Sequence, residues 1–291
     1  MLQLIIGAFL ISFSPVFVKL AGLAPEMAAM YRNVFGALIF VAYLSWRPVS
    51  TSVIGAVWPL AIVASLFFGA DLTFWHASIH IVGPGMATML VNFQVFFLAF
   101  LAMALFREFP AGRFYWGMIL ALFGLYAIVG MDAETRANQA LGITLALVGA
   151  FLYACFIATF KLVLARAGSQ AIVIVMTMVS VSTAIILALY SFVSGTSFAI
   201  PSLFTLAMIL CYALACHVVG WFLISQGLTR VPAATAGLVL LLQPTFAYIW
   251  DLFFFDKTLG PTEGIGVLLA LAGIYLGSSR KMRYHHRVAS R

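Results

Sequence analysis

The sequence predicts an all-α membrane protein of about ten transmembrane helices in two inverted five-helix repeats. Its composition, its succession of apolar runs and an internal repeat all lead there. Of 291 residues, 65% are hydrophobic and only 8% are charged, where soluble domains carry about 25% charged residues. So few charges cannot cover a soluble surface of that size, and lipid must take the place of water. The net charge of +7 would suit a nucleic-acid binder if it were clustered on a folded face. Most of the basic residues instead fall in short connectors or in the tail RKMRYHHRVASR after the last apolar run. That is the pattern of loop charge that fixes topology, with attraction to anionic lipid as a secondary role; no nucleic-acid partner is read from it.

A helix needs about 20 mostly apolar residues to cross the hydrocarbon core. With Gly, Pro and charge clusters as punctuation, spans are expected near 2–21, 27–46, 57–79, 85–106, 113–131, 141–164, 170–193, 203–226, 233–255 and 261–279. With the N-terminus in the cytoplasm, the inside connectors hold Arg47, Arg107, Arg113, Arg166, Arg230 and the basic tail. The outside ones hold Arg136 and Lys257 beside Glu26, Asp132, Glu134 and Asp256. This bias predicts a multi-pass protein of the inner or plasma membrane with both termini cytoplasmic. Pro15 and Lys19 interrupt the first apolar run, so no cleaved signal peptide is expected. Cys155, Cys211 and Cys216 lie inside apolar runs and read as small buried hydrophobes rather than a disulfide or zinc framework.

The repeat shows in register. GAFL at Gly7–Leu10 recurs at Gly149–Leu152, and Lys19-Leu20 recurs as Lys161-Leu162 at the same offset of 142. At an offset of 149, Gln94 pairs with Gln243, Phe97 with Phe246, Gly117 with Gly266, Gly124 with Gly273 and Tyr126 with Tyr275. Repeats are therefore placed at 1–135 and 136–280, with a tail at 281–291. Five spans per repeat is an odd number, so the second copy enters the membrane upside down. Inverted repeats of this kind bind solutes near the midplane between the halves.

These residues resemble the drug/metabolite transporter superfamily, in its ten-helix EamA-type branch. The resemblance rests on MYRNVFGALIF in span 2, DLTFWHASI in span 3 and MLVNFQVFFLAFLAMALFRE through span 4. The second half adds RVPAATAGLVLLLQPTFAYIWD and GIGVLLALAGIYLGS. Family members carry an acid after spans 4 and 9; Glu108 matches the first, and Asp256 stands where Glu is usual in the second. The resemblance implies export or exchange of metabolites, amino acids or related small solutes.

Candidate site residues follow from the cost of polar groups at membrane depth, at least about 2.5–3.5 kcal/mol for an ionised one at the bilayer centre. Asp71 lies in span 3 and His217 in span 8, each followed four residues later by Trp75 or Trp221. On an α-helix that spacing puts acid or imidazole and ring on one face. The functional reading is a central cavity lined from both halves, with Asp71 as a proton or cation site; the alternative is polar residues locked to neighbouring helices. His76 is a further cavity candidate, and with His80 forms an i,i+4 pair without the glutamate or third ligand of a zinc motif. Asn92, Gln94 and Gln243 add amides at depth, but Asn92 and Gln94, roughly 200° apart on a continuous helix, are not expected to face the cavity together. Arg32 and Lys19 are expected to snorkel to the interface with Glu26 as partner, and Asp251 to pair with a basic residue such as Arg230.

The expected function is a secondary transporter with a small-molecule solute, possible proton or cation coupling, the bilayer as its surroundings and no cofactor or metal. An intramembrane enzyme is the competing class, and it lacks HExxH, a serine nucleophile elbow and a histidine cluster. Oligomeric state is not legible.

Overall fold

The computed structural model describes residues 1–46, 52–82, 87, 90–129, 140–168, 171–254 and 260–278. The described residues contain helices and connectors, with no strand among them. The helices are α1 (Leu2–Ile11), α2 (Ser14–Ala21), α3 (Pro25–Trp46), α4 (Ser52–Val82), α5 (Gln94–Phe106), α6 (Gly112–Val129), α7 (Ala140–Ala167) and α8 (Ile172–Val193). They continue with α9 (Leu203–Cys211), a π-helix (Tyr212–Gly220), α10 (Trp221–Leu228), α11 (Ala233–Leu240), α12 (Leu242–Phe254) and α13 (Pro261–Ser278).

Membrane passes and helices are not one to one, because passes one, four and nine are interrupted and pass eight contains a π-helix. Leu2–Ala21, Glu26–Trp46, Val53–Trp75, Ala140–Ala167, Ile172–Val193 and Leu203–Leu228 are each long and apolar enough to cross a bilayer. Gln94–Phe106, Ala233–Ala247 and Gly264–Ser278 are shorter apolar helices. Lipid-facing side chains are large and apolar, as at Phe100, Trp116, Leu189, Phe192 and Leu268, all exposed. Every backbone polar group at that depth must be satisfied internally, which a helix does within one segment. Cys155 and Cys216 are buried as expected, whereas Cys211 is exposed on the outer surface, since an apolar run in a membrane protein has a lipid face as well as a core face.

Packing reveals the symmetry. The α1–α2 pass lies against the α9, π-helix and α10 pass, while α4 lies against α7; α3 packs on α8, α5 on α11, and α6 on α13. Numbered as passes, the pairs are one with eight, three with six, two with seven, four with nine and five with ten. Adding five to each member exchanges the first two pairs and returns the other three to themselves, as a twofold axis between inverted halves requires.

The seam between passes five and ten shows why glycine recurs there. A Cβ on Gly117 would stand 2.6 Å from the Gly273 carbonyl oxygen, and one on Gly124 would stand 2.6 Å from that of Gly266. Only hydrogen fits, and the two backbones meet directly. Ten passes put Met1 and Ser278 at one face of the bundle, the terminal face below; the ends of α2 and α4 mark the opposite face. The basic tail and the connectors carrying Arg47, Asp132, Glu134, Arg136, Asp256 and Lys257 lie outside the described residues.

Candidate functional site

Three helix breaks bring polar groups to one place. The first pass turns at Ser12–Phe13, and Pro15 has no N–H to give the Ile11 carbonyl, four residues earlier. Trp250 holds this turn: its Nε1 donates to Ser12 Oγ at 2.7 Å, and its ring stacks on Phe13 with centroids 4.2 Å apart. The fourth pass turns at Asn92–Phe93 and the ninth at Leu241. Pro244 leaves the Leu240 carbonyl in the same situation, and Thr245 Oγ1 donates to the Leu241 carbonyl at 2.9 Å. Gln94 and Gln243, equivalent in the repeat, lie one and two residues past their breaks, so these two interruptions are a symmetric pair.

The breaks surround a cavity of about 460 Å³ that runs from mid-bundle toward the opposite face, where exposed Lys19 lies at its rim. Asp71, Trp75, Asn92, Gln94, Trp221 and Gln243 line it, together with Arg32, Phe68, Tyr153 and Tyr212. Gln94 Oε1 and Gln243 Nε2 are buried without a hydrogen-bond partner, and so is Asp71 Oδ1. Gly149 keeps room beside that carboxylate: a Cβ there would stand 3.4 Å from Asp71 Oδ1.

Several expectations need correction. Asn92 and Gln94 both line the cavity, because the turn at residues 92–93 breaks the helical phase that would have set them apart. His217 and Trp221 do not meet the same surroundings. His217 lies in the π-helix Tyr212–Gly220 and is absent from the cavity lining, whereas Trp221 is part of it. His217 is buried between passes, with Nε2 2.7 Å from Ser180 Oγ and its ring centroid 6.2 Å from that of Phe40. It is not a lining residue. Trp221 does line the cavity, but as its floor: it is 4% exposed and meets Phe68, Phe156 and Phe160 edge-on at 5.9, 5.4 and 6.1 Å. The side chains of His76, His80 and Asp251 lie outside those described.

Arg32 is the residue the sequence reading misplaced. It does not snorkel; it is 6% exposed and reaches into the cavity. Its Nη1 donates to the Tyr212 hydroxyl at 3.0 Å, and its guanidinium carbon lies 5.1 Å from the Tyr212 ring centroid and 5.8 Å from that of Phe68. Glu26, its expected partner, instead accepts from Thr196 Oγ1 at 3.3 Å. Arg230, expected near Asp251, donates to Gln3 at 3.3 Å.

Between the cavity and the terminal face lies a polar clasp. Lys161 follows Tyr153 by eight residues on α7, about 12 Å along the axis at 1.5 Å per residue. Its Nζ donates to Glu108 Oε1 at 2.9 Å and to the Val231 carbonyl at 2.8 Å. Glu108 Oε2 accepts from the Ala233 backbone N–H at 2.6 Å, at the start of α11. A carboxylate there meets unsatisfied N–H groups and the positive end of the helix dipole. Arg107 makes the geometry: its left-handed φ of 53° ends α5 and turns the chain, and a non-glycine residue accepts that strain of about 1–2 kcal/mol where the next side chain gains two charge-assisted contacts. The pair is the one ion pair among the described residues. It joins pass four of the first repeat to passes six and nine of the second.

The comparisons with known proteins agree with this architecture. The family model described as EamA-like transporter family matches residues 1–130 and again 140–279. A solved structure, described only as the crystal structure of a protein, superposes with a TM-score of 0.84 at 14% identity, over 95% of this chain and 96% of its own; that likeness concerns the fold alone. No curated protein matches the chain. Two family matches, one per half and together spanning almost the whole sequence, establish that this multi-pass membrane protein belongs to the EamA-like transporter family.

Proposed function

We propose that the chain is a secondary transporter working by alternating access, moving a small metabolite or amino-acid-like solute across the inner or plasma membrane with both termini in the cytoplasm. The observation that carries the reading is the cavity between the two repeats, bounded by broken passes one, four and nine and lined by polar groups from both halves. Discontinuous helices meeting at a repeat interface are where transporters of this architecture hold their solutes. Asp71, Trp75, Asn92, Gln94, Trp221 and Gln243 are the proposed solute contacts, and His76 remains a candidate beside them. Asp71 is the proposed site for a positive partner: a proton, a metal cation or a cationic group of the solute.

The clasp at Glu108 and Lys161 gives the resting state a side. With the termini cytoplasmic, it closes the cytoplasmic end and leaves the cavity facing outward. Chemistry on a bound molecule is not required by any group in the cavity, and transport uses all of them.

The test is entrance counterflow. Purified protein in liposomes preloaded with a panel of unlabelled metabolites should transiently accumulate the matching labelled solute, and protein-free liposomes should not. Where a proton or metal cation is the positive partner, Asp71→Asn should bind solute but lose the response of uptake to an imposed pH or cation gradient; where it is a cationic group of the solute, the variant should lose solute affinity. Absence of counterflow for every solute tested, by protein with an intact melting transition, would sink the reading.

A further inference from the structure

We infer that Arg32 is the residue that selects the solute, by holding a carboxylate, and that Asp71 holds a positively charged group of the same molecule; the substrate class is then a zwitterion with an apolar body. This rests on the transporter reading for its cargo, but not for its binding chemistry.

Arg32 and Asp71 carry opposite charges, line one cavity and are 94% and 96% buried by their exposures of 6% and 4%. They do not pair: among the described residues the one ion pair within reach of 4 Å is Lys161–Glu108. Each also keeps an unused polar atom, Arg32 Nε and Asp71 Oδ1. Burying two unlike charges without letting them meet forgoes the cheapest compensation available to them. The arrangement makes sense if a third body completes both. The guanidinium edge presents parallel N–H donors that match a carboxylate, and Tyr212 fixes the plane of that edge through its 3.0 Å hydrogen bond. Asp71, acceptor-only when ionised, suits an ammonium.

The walls give the rest of the molecule. Phe68, Trp75, Tyr153 and Trp221 face the same space, so a hydrocarbon or aromatic body fits. A metal cation alone would satisfy Asp71 and leave Arg32 repelled. A plain organic anion would satisfy Arg32 and leave Asp71 to take a separate proton or cation.

Matched ligands test this with purified full-length protein in lipid nanodiscs, read by tryptophan fluorescence and thermal shift. The zwitterions are L-leucine and L-phenylalanine. The amines lacking the carboxylate are 3-methylbutylamine and 2-phenylethylamine; the acids lacking the amine are 4-methylpentanoate and 3-phenylpropanoate. Inorganic phosphate is the fourth probe. Wild type should respond to a zwitterion at concentrations where amines, acids and phosphate give none. Arg32→Gln should weaken the zwitterion at least about tenfold without weakening the amine. Arg32→Lys should recover part of the loss, and Asp71→Asn should spare the acid instead.

The inference is overturned if no zwitterion binds wild type, if an amine, an acid or phosphate binds as well, or if Arg32→Gln leaves zwitterion affinity intact. The comparison within wild type decides the matter even where a variant does not fold. Zwitterion binding with this pattern but no counterflow would overturn the transport reading alone. Counterflow of a solute lacking a carboxylate, unaffected by Arg32→Gln, would overturn the inference alone.

Discussion

Lys161 and Glu108 meet at 2.9 Å at the junction of three passes, and the same carboxylate holds the first backbone N–H of α11. If this clasp keeps the terminal face shut, removing its carboxylate should loosen the start of pass nine. Hydrogen exchange at residues 233–236 should accelerate roughly tenfold or more in Glu108→Ala, as expected when a charge-assisted bond of about 1.5–3 kcal/mol is lost. Unchanged protection would make the clasp incidental.

The seam of passes five and ten should tolerate no added carbon. In Gly117→Ala the new methyl would meet the Gly277 nitrogen at 2.5 Å and the Gly273 carbonyl oxygen at 2.6 Å. Those are backbone atoms, so the passes must separate, at a cost of about 1–3 kcal/mol. The melting temperature should fall clearly below that of Gly112→Ala, where the added carbon has open space. Equal melting temperatures would refute the tight seam.

The two tryptophans should behave differently. Trp221 is wedged against three phenylalanine rings, so Trp221→Ala should lower stability by about 3–5 kcal/mol as well as weaken solute binding. Trp75 is only half-buried on the cavity wall, and Trp75→Ala should weaken binding by about 0.5–2 kcal/mol with little effect on melting. Paired thermal and binding titrations separate the outcomes, and a binding defect without instability in Trp221→Ala would contradict its role as the floor.

His217 should matter for packing rather than for solute. Ser180→Ala removes the partner of His217 Nε2 and should destabilise by about 1–3 kcal/mol, with solute affinity unchanged. A shift in affinity without one in stability would return His217 to the cavity.

These predictions also mark how far the sequence could be read. Passes, repeat and inversion were legible because lipid imposes a minimum apolar length and because Gln94, Lys161 and Gly273 recur in register. Asp71 and Trp75 were legible as a pair because α4 stays α-helical between them. His217 and Trp221 were not, since the neighbours that take each of them, Ser180 and Phe40 for the imidazole and three phenylalanines for the indole, depend on how the passes pack. A continuous helix would set Asn92 and Gln94 apart, and the turn at Asn92–Phe93 changes that phase. Arg32 sits two turns inside its pass, where snorkelling and burial look alike until the neighbouring passes are known. Pro15 and Pro244 were the available signal that breaks lie close by.

The central claim is one cavity opened to one face at a time. With Cys155, Cys211 and Cys216 replaced by alanine, a single cysteine at Ser14, on the cavity wall, reports which face reaches it. A membrane-impermeant thiol reagent applied to oriented proteoliposomes should label Ser14→Cys from the face opposite the termini and not from the terminal face. Adding Glu108→Ala should raise labelling from the terminal face and lower it from the other. Labelling from both faces at once, which describes a channel, or from neither would contradict the account.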